Sequence, residues 1–134
     1  MKVTSAEKSF NIFLKTKSVG DGYWDLGPDV MITSTKVDVE VRQFDDDTLT
    51  GTSRFHHDCN AYEHGLIYTD SAEVMFFKFL EEHPELGDIV LGAGGSEQGM
   101  QDQFVLDMDL DIRDNVTFDM LERYGFKVTE EHYK

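Results

Sequence analysis

The chain has one cysteine, Cys59, among its 134 residues. That excludes an internal disulfide and the disulfide framework of a small secreted domain, so a reducing, cytoplasmic compartment is expected. No stretch approaches the ~18 apolar residues of a membrane helix. The amino-terminal segment MKVTSAEKSFNIFLK breaks into polar residues before an apolar signal segment can form. No membrane is therefore expected among the partners. Internal repeats, low-complexity tracts and linkers are also missing, so residues 1–134 are read as a single domain. Bases are scarce: 12 Lys and Arg stand against 27 Asp and Glu, for a formal net charge of −15. A surface of that sign repels nucleic acid and anionic lipid, and attracts a basic protein or a cation.

The acids that are present are unevenly placed. Residues 1–43 hold six bases and six acids, so residues 44–134 carry the whole excess, 21 acids against six bases. Charge that served only solvation would be spread along the chain. Hydrophobic residues make up 40% of the chain, with 10 Phe, enough to build a core without staples.

Periodicity places the elements. SFNIFLKTK (9–17) reads as a strand. KVDVEVRQF (36–44) is the clearest one, with Val37, Val39 and Val41 facing in and Asp38, Glu40 and Arg42 facing out. A returning strand to about residue 57 completes an antiparallel hairpin, with Asp45, Asp46 and Asp47 at its tip. TDSAEVMFFKFLEEHPELG (69–87) predicts a helix capped by Asp70 with Glu73 three residues on, buried through Val74, Phe77 and Leu80, broadened by Phe76, and ended by Pro84. A short apolar run from 88 leads into a glycine loop. Residues 102–112 form another strand, and a second helix starts near Asp114 with Gly125 as its C′ residue. FKVTEEHYK is a final short strand or tail. The expected fold is α+β: an antiparallel sheet of about five or six strands with two helices packed on one face.

In QFVLDMDLDIRDN (103–115) apolar residues alternate with Asp107, Asp109 and Asp111. Alternation puts the three carboxylates on one face, about 6.8 Å apart. Their mutual repulsion in water is about 0.6 kcal/mol per neighbouring pair, further reduced by salt. Burial of the strand's apolar side contributes about 1.5–3 kcal/mol per large side chain and outweighs it. The plain reading is a solvated face. Aspartate is nevertheless a poor strand residue, and Thr or Lys would solvate the face as well. Three in register match the roughly 6–7 Å spacing of phosphates along a nucleic-acid strand. A divalent-cation site is a third reading, but Ile112 stands where an EF-hand loop needs Gly, and alternate residues do not converge on one ion.

Three other stretches are weighed the same way. RFHHDCNAYEHG (54–65) brings His56, His57, Asp58, Cys59, Glu63 and His64 together. His57, Cys59 and His64 are zinc-ligand types, and Cys59 with His64 is a conceivable nucleophile and base. No second half of a zinc motif accompanies them, so a polar loop is the simpler reading. GAGGSEQG (92–99) lacks the Lys-Ser/Thr ending of a P-loop and has Glu97 where a dinucleotide fingerprint needs Gly. Tyr23 and Trp24, in a glycine-rich turn, are of the types that anchor protein interfaces.

The expected function is a small acidic, non-enzymatic binding protein without cofactor. It inhibits a basic, nucleic-acid-binding protein by charge complementarity, as a nucleic-acid mimic of the phage type that blocks a defence complex. The expected contact residues are Asp107, Asp109, Asp111, Asp45, Asp46 and Asp47, flanked by Asp114 and Glu122, with Tyr23 and Trp24 as anchors. The alternatives are an immunity protein for a basic nuclease toxin, a metal-binding protein or enzyme built on His56–His64, and a structural accessory subunit.

Overall fold

Two long strands organise the molecule. In the computed structural model, which describes residues 1–18, 30–57, 66–68, 72–93 and 105–133, β1 (Lys2–Ser18) and β2 (Val30–Phe44) pair antiparallel from Val3 opposite Phe44 to Lys17 opposite Val30. They are followed by β3 (Thr50–His57), β4 (Leu66–Tyr68), helix α1 (Ala72–Glu82), a 3-10 turn at Pro84–Asp88, β5 (Val90–Ala93), β6 (Val105–Ile112), helix α2 (Phe118–Arg123) and β7 (Lys127–His132). The strand order is β4-β1-β2-β3-β6-β5. β7 shares the outer edge of β1 with β4, pairing with Lys2–Glu7 while β4 pairs with Thr16–Ser18. Every pairing is antiparallel, and the α+β class expected from the sequence holds. Among the described residues the sheet has seven strands, one more than the upper expectation.

Strand alternation divides the sheet into a core face and an outer face. Ala6, Phe10, Ile12 and Leu14 of β1, Val37, Val39 and Val41 of β2, Phe55 of β3 and Met108 and Leu110 of β6 are all buried. In register they form one mostly apolar surface: Phe10 lies opposite Val37 and Val37 opposite Phe55, with the buried hydroxyl residue Ser53 opposite Met108. Phe79 of α1 packs edge-on against Phe10 and Phe55, with ring centroids 5.2 and 5.7 Å away. Phe126, just beyond α2, meets Phe10 at 6.2 Å.

α1 corrects the expected helix face. Val74 and Phe77 are 40% and 54% exposed, whereas Met75, Phe76 and Phe79 are buried. Helical spacing accounts for this face: Met75, Phe76 and Phe79 lie on one unbroken apolar arc, whereas Val74 and Phe77 fall on the side that carries Glu73, Lys78 and Glu81. The rings of Phe10 and Phe55 receive that arc. The α-helix ends at Glu82 and Pro84 opens the 3-10 turn, where its missing N–H costs nothing.

α2 begins four residues later than Asp114. Thr117 is its N-cap, and the Thr117 hydroxyl accepts the Met120 N–H at 3.2 Å. Its other end closes as expected on Gly125, at φ +95°. Gly125 N–H donates to Glu122 O and Phe126 N–H to Leu121 O, the paired bonds of a Schellman motif. The Lys8 ammonium donates to Tyr124 O at 2.7 Å, placing a cation at the negative end of the helix. The final strand is no tail: β7 pairs with β1 over six residues.

Candidate functional site

The outer face of the sheet is polar, and the register sorts it into cross-strand rows. Ser9, Asp38, Arg54 and Asp107 form one row across β1, β2, β3 and β6. The next row is Glu7, Glu40, Thr52 and Asp109, extended onto β7 by Lys127 opposite Glu7. Asp111 lies one step further along β6, opposite Gly92 of β5. The aspartates therefore do line one face. Met108 and Leu110, between them, are buried on the other. β6 is an interior strand, with β3 along one side and β5 against its carboxyl-terminal end.

The three aspartates are not equivalent. Arg54 is bidentate on Asp107, Nε to Oδ1 at 2.6 Å and Nη2 to Oδ2 at 2.9 Å. The hydrogen bond and charge of Asp107 hold the guanidinium above its ordinary pKa. Asp109 and Asp111 are exposed and have no ion pair with any described residue. Their cross-strand neighbours are a hydroxyl, Thr52, and a hydrogen, Gly92. A Cβ built on Gly92 meets nothing within 4 Å.

β2 supplies a second acidic wall. Asp38 accepts from the Ser9 hydroxyl at 2.6 Å and contacts His56 Nε2 at 3.0 Å, with Lys36 Nζ at 3.6 Å. Burial works to raise the Asp38 pKa, but the Ser9 hydrogen bond and the charges of Lys36 and His56 bring it below its ordinary value. Glu40 is pushed the other way, by burial and by the Glu7 carboxyl directly opposite, against the pull of Arg42. Arg42 Nε lies 2.5 Å from Glu40 Oε1. Between the walls the small Thr52 leaves an open groove of about 500 Å³, lined by Asp38, Glu40, Arg42, Arg54, Asp107 and Asp109. Ser9, Asp38 and His56 are not a nucleophile–base pair: the carboxylate stands between hydroxyl and imidazole, which do not bond each other.

The other expected contact residues are dispersed. Asp45, Asp46 and Asp47 form the β2–β3 turn, as expected, and all are exposed. Asp45 is partly structural: at φ 52° it exchanges hydrogen bonds with the Lys2 backbone, accepting Lys2 N–H at 2.8 Å and donating its own N–H to Lys2 O at 2.7 Å. β6 runs parallel to β2, so Asp111, exposed Asp114 and this turn share one end of the sheet. Glu122 is exposed on α2, which packs against β7 and β1, three strands from β6. The structure does not bring it to the stripe.

Tyr23, Trp24, Asp70, Cys59, His64 and most of the glycine loop lie outside the described residues. His57 closes β3 opposite Thr35, with its side chain likewise outside them. Among the described residues no group of three or more His, Cys, Asp or Glu side chains is placed to hold a metal ion, and no helix is long and apolar enough to cross a membrane. Arg54, Thr52 and Glu40 were not singled out from the sequence. The signal was present: once 36–57 is read as a hairpin, its register sets Arg54 opposite Asp38 and Thr52 opposite Glu40.

No protein-family model matches the chain, and no curated protein or solved structure matches it either. The functional reading rests on this face.

Proposed function

We propose that the protein is an acidic binding protein that inhibits a basic, nucleic-acid-binding protein by docking it on the outer face of the sheet. One observation carries the reading: Asp109, beside an open groove, and Asp111, next along the face, stand exposed with no ion pair to any described residue, on a face where Lys36, Arg42 and Arg54 are each already held by a carboxylate. The surplus on this face is negative and points outward. A chain of net charge −15 steers a basic partner over a long range. The two free aspartates then offer it short-range contacts.

The test is capture from host lysate on tagged protein at low and at high salt, with the D109N/D111N double variant as control. Captured species are identified by mass spectrometry and their affinities measured with purified partner. The expected outcome is a nucleic-acid-binding protein retained at low salt, released at high salt and bound more weakly by the variant, by up to about 25-fold, from the loss of two charge contacts. A basic nuclease in that place assigns the protein to toxin immunity instead. Equal affinity for wild type and variant sinks the reading.

A further inference from the structure

The sheet contains its own example of how a cation sits on this face. Arg54 on β3 reaches across to Asp107 on β6 and pairs with it through two nitrogen atoms. Two residues along, Thr52 faces Asp109 in the same pairing class, since antiparallel pairs alternate with a period of two. One further step brings Asp111 opposite Gly92, where no side chain stands. Along β6 the face thus presents Asp107, paired with the chain's own arginine on β3, then Asp109, which faces a threonine on β3, then Asp111, which faces a glycine on β5. The first two of these positions border the groove of about 500 Å³.

Resting on the reading above, we infer that Asp109 and Asp111 receive two basic side chains from the partner, next along β6 to the pair that Arg54 and Asp107 form, and that the partner presents them at alternate positions of an extended segment. The spacing argues for the extended form. Successive rows along β6 are about 6.8 Å apart, which is the separation of side chains i and i+2 of a strand. The walls of the groove stand on β2 and β6, two strand spacings or about 9.6 Å apart. A helix with its side chains is about 10–12 Å across and does not enter between them. A planar guanidinium suits the bidentate geometry that Asp107 already shows, so arginine is favoured over lysine.

The cleanest perturbation fills an open row from within. Thr52→Arg places an arginine opposite Asp109 as Arg54 stands opposite Asp107. Glu73→Gln on α1, away from this face, changes net charge by the same amount and serves as control. The probes are two capped peptides of equal charge, Thr-Arg-Thr-Arg-Thr and Thr-Thr-Arg-Arg-Thr, titrated into isotopically labelled protein at low salt. Binding is read from the NMR shifts of Thr52, Asp109 and Asp111.

The alternating peptide is expected to bind up to about fivefold more tightly than its isomer, the most that one exposed arginine–carboxylate contact gives. T52R should abolish that preference, and E73Q should keep it. If both peptides bind alike and D109N/D111N weakens both, the face still takes cations and only the two-row geometry falls. If neither peptide moves Asp109 or Asp111, the face and the proposed function fall together.

Discussion

Phe79 and Phe77 lie two residues apart on α1 and should respond very differently to truncation. Phe79 is 1% exposed and contacts the rings of Phe10, Phe55 and His83. Phe77 is 54% exposed. Removing a fully buried phenylalanine ring costs about 3–5 kcal/mol, combining lost transfer energy with the cavity left behind. The edge-on ring contacts of Phe79 place F79A toward the upper part of that range, about 4 kcal/mol. For F77A no enclosed cavity forms and only part of the burial is lost, so the cost is about 1 kcal/mol. Urea unfolding followed by far-UV circular dichroism separates the two. With a slope of about 2 kcal/mol per molar for a domain of this size, F79A should move the midpoint by about 2 M and F77A by about 0.5 M. A domain of ordinary stability, about 5–15 kcal/mol, retains a folded baseline for this. If F79A leaves too little folded protein, Phe79→Leu should shift the midpoint in the same direction by less. Equal shifts for F79A and F77A, or a larger one for F77A, would refute the rotation of α1 and the core built around it.

Gly125→Ala should cost about 1–2 kcal/mol, because φ +95° strains any L side chain and the new Cβ meets Lys8 Nζ at 3.1 Å; the urea midpoint reads it. Thr117→Ala should cost about 1 kcal/mol by orphaning the Met120 N–H, while Thr117→Ser restores most of it. Glu7→Gln has a pH signature. In the folded state the raised Glu40 pKa favours its protonated form, so wild-type stability falls as pH rises from the ordinary glutamate value through the raised one, then levels. Removing the opposed charge should therefore stabilise the protein by about 0.5 kcal/mol at neutral pH. That gain should shrink as the pH falls below the ordinary glutamate value, where the Glu40 carboxyl becomes neutral; a gain equal at acid and neutral pH would show that the opposition of the two side chains is not its source.

How legible these features were in the sequence depended on whether a local pattern matched the burial. Val37, Val39 and Val41 alternate with charged residues, so their strand and hairpin read directly, and the orientation of the Asp107–Asp111 stripe followed from the same rule. The amino-terminal half of β1 did not read, because its core-facing positions include Thr4, Ala6 and Lys8. Lys8 is a charge on the core side that makes sense only once Tyr124 O is seen beside it. The start of β2 was hidden for a related reason: Thr35 faces the core fully buried while Ile32 is exposed. β4 is three residues long, too short to carry a pattern. The pairing of Asp107 with Arg54 joins residues 53 positions apart. It depends on β6 adding to β3, which nothing local to either strand dictates.

That pairing changes what the aspartate stripe can mean. Three equal carboxylates would form a uniform line of charge, indifferent to where along it a cation lands. With Asp107 occupied, the line has a closed end at Arg54 and an open end at Asp111, toward the Asp45–Asp47 turn and Asp114. A basic partner then meets a gradient, not a strip, and a gradient fixes direction as well as attraction. Long-range charge and local register should act on different rate constants. Neutralising remote acids such as Glu73 or Glu122 lowers the −15 that steers encounter, and so slows association. Neutralising Asp109 or Asp111 removes a short-range contact, and so speeds dissociation. If surface plasmon resonance with a captured partner showed both kinds of variant changing the association rate alone, the face would be acting by bulk charge and its geometry would be incidental.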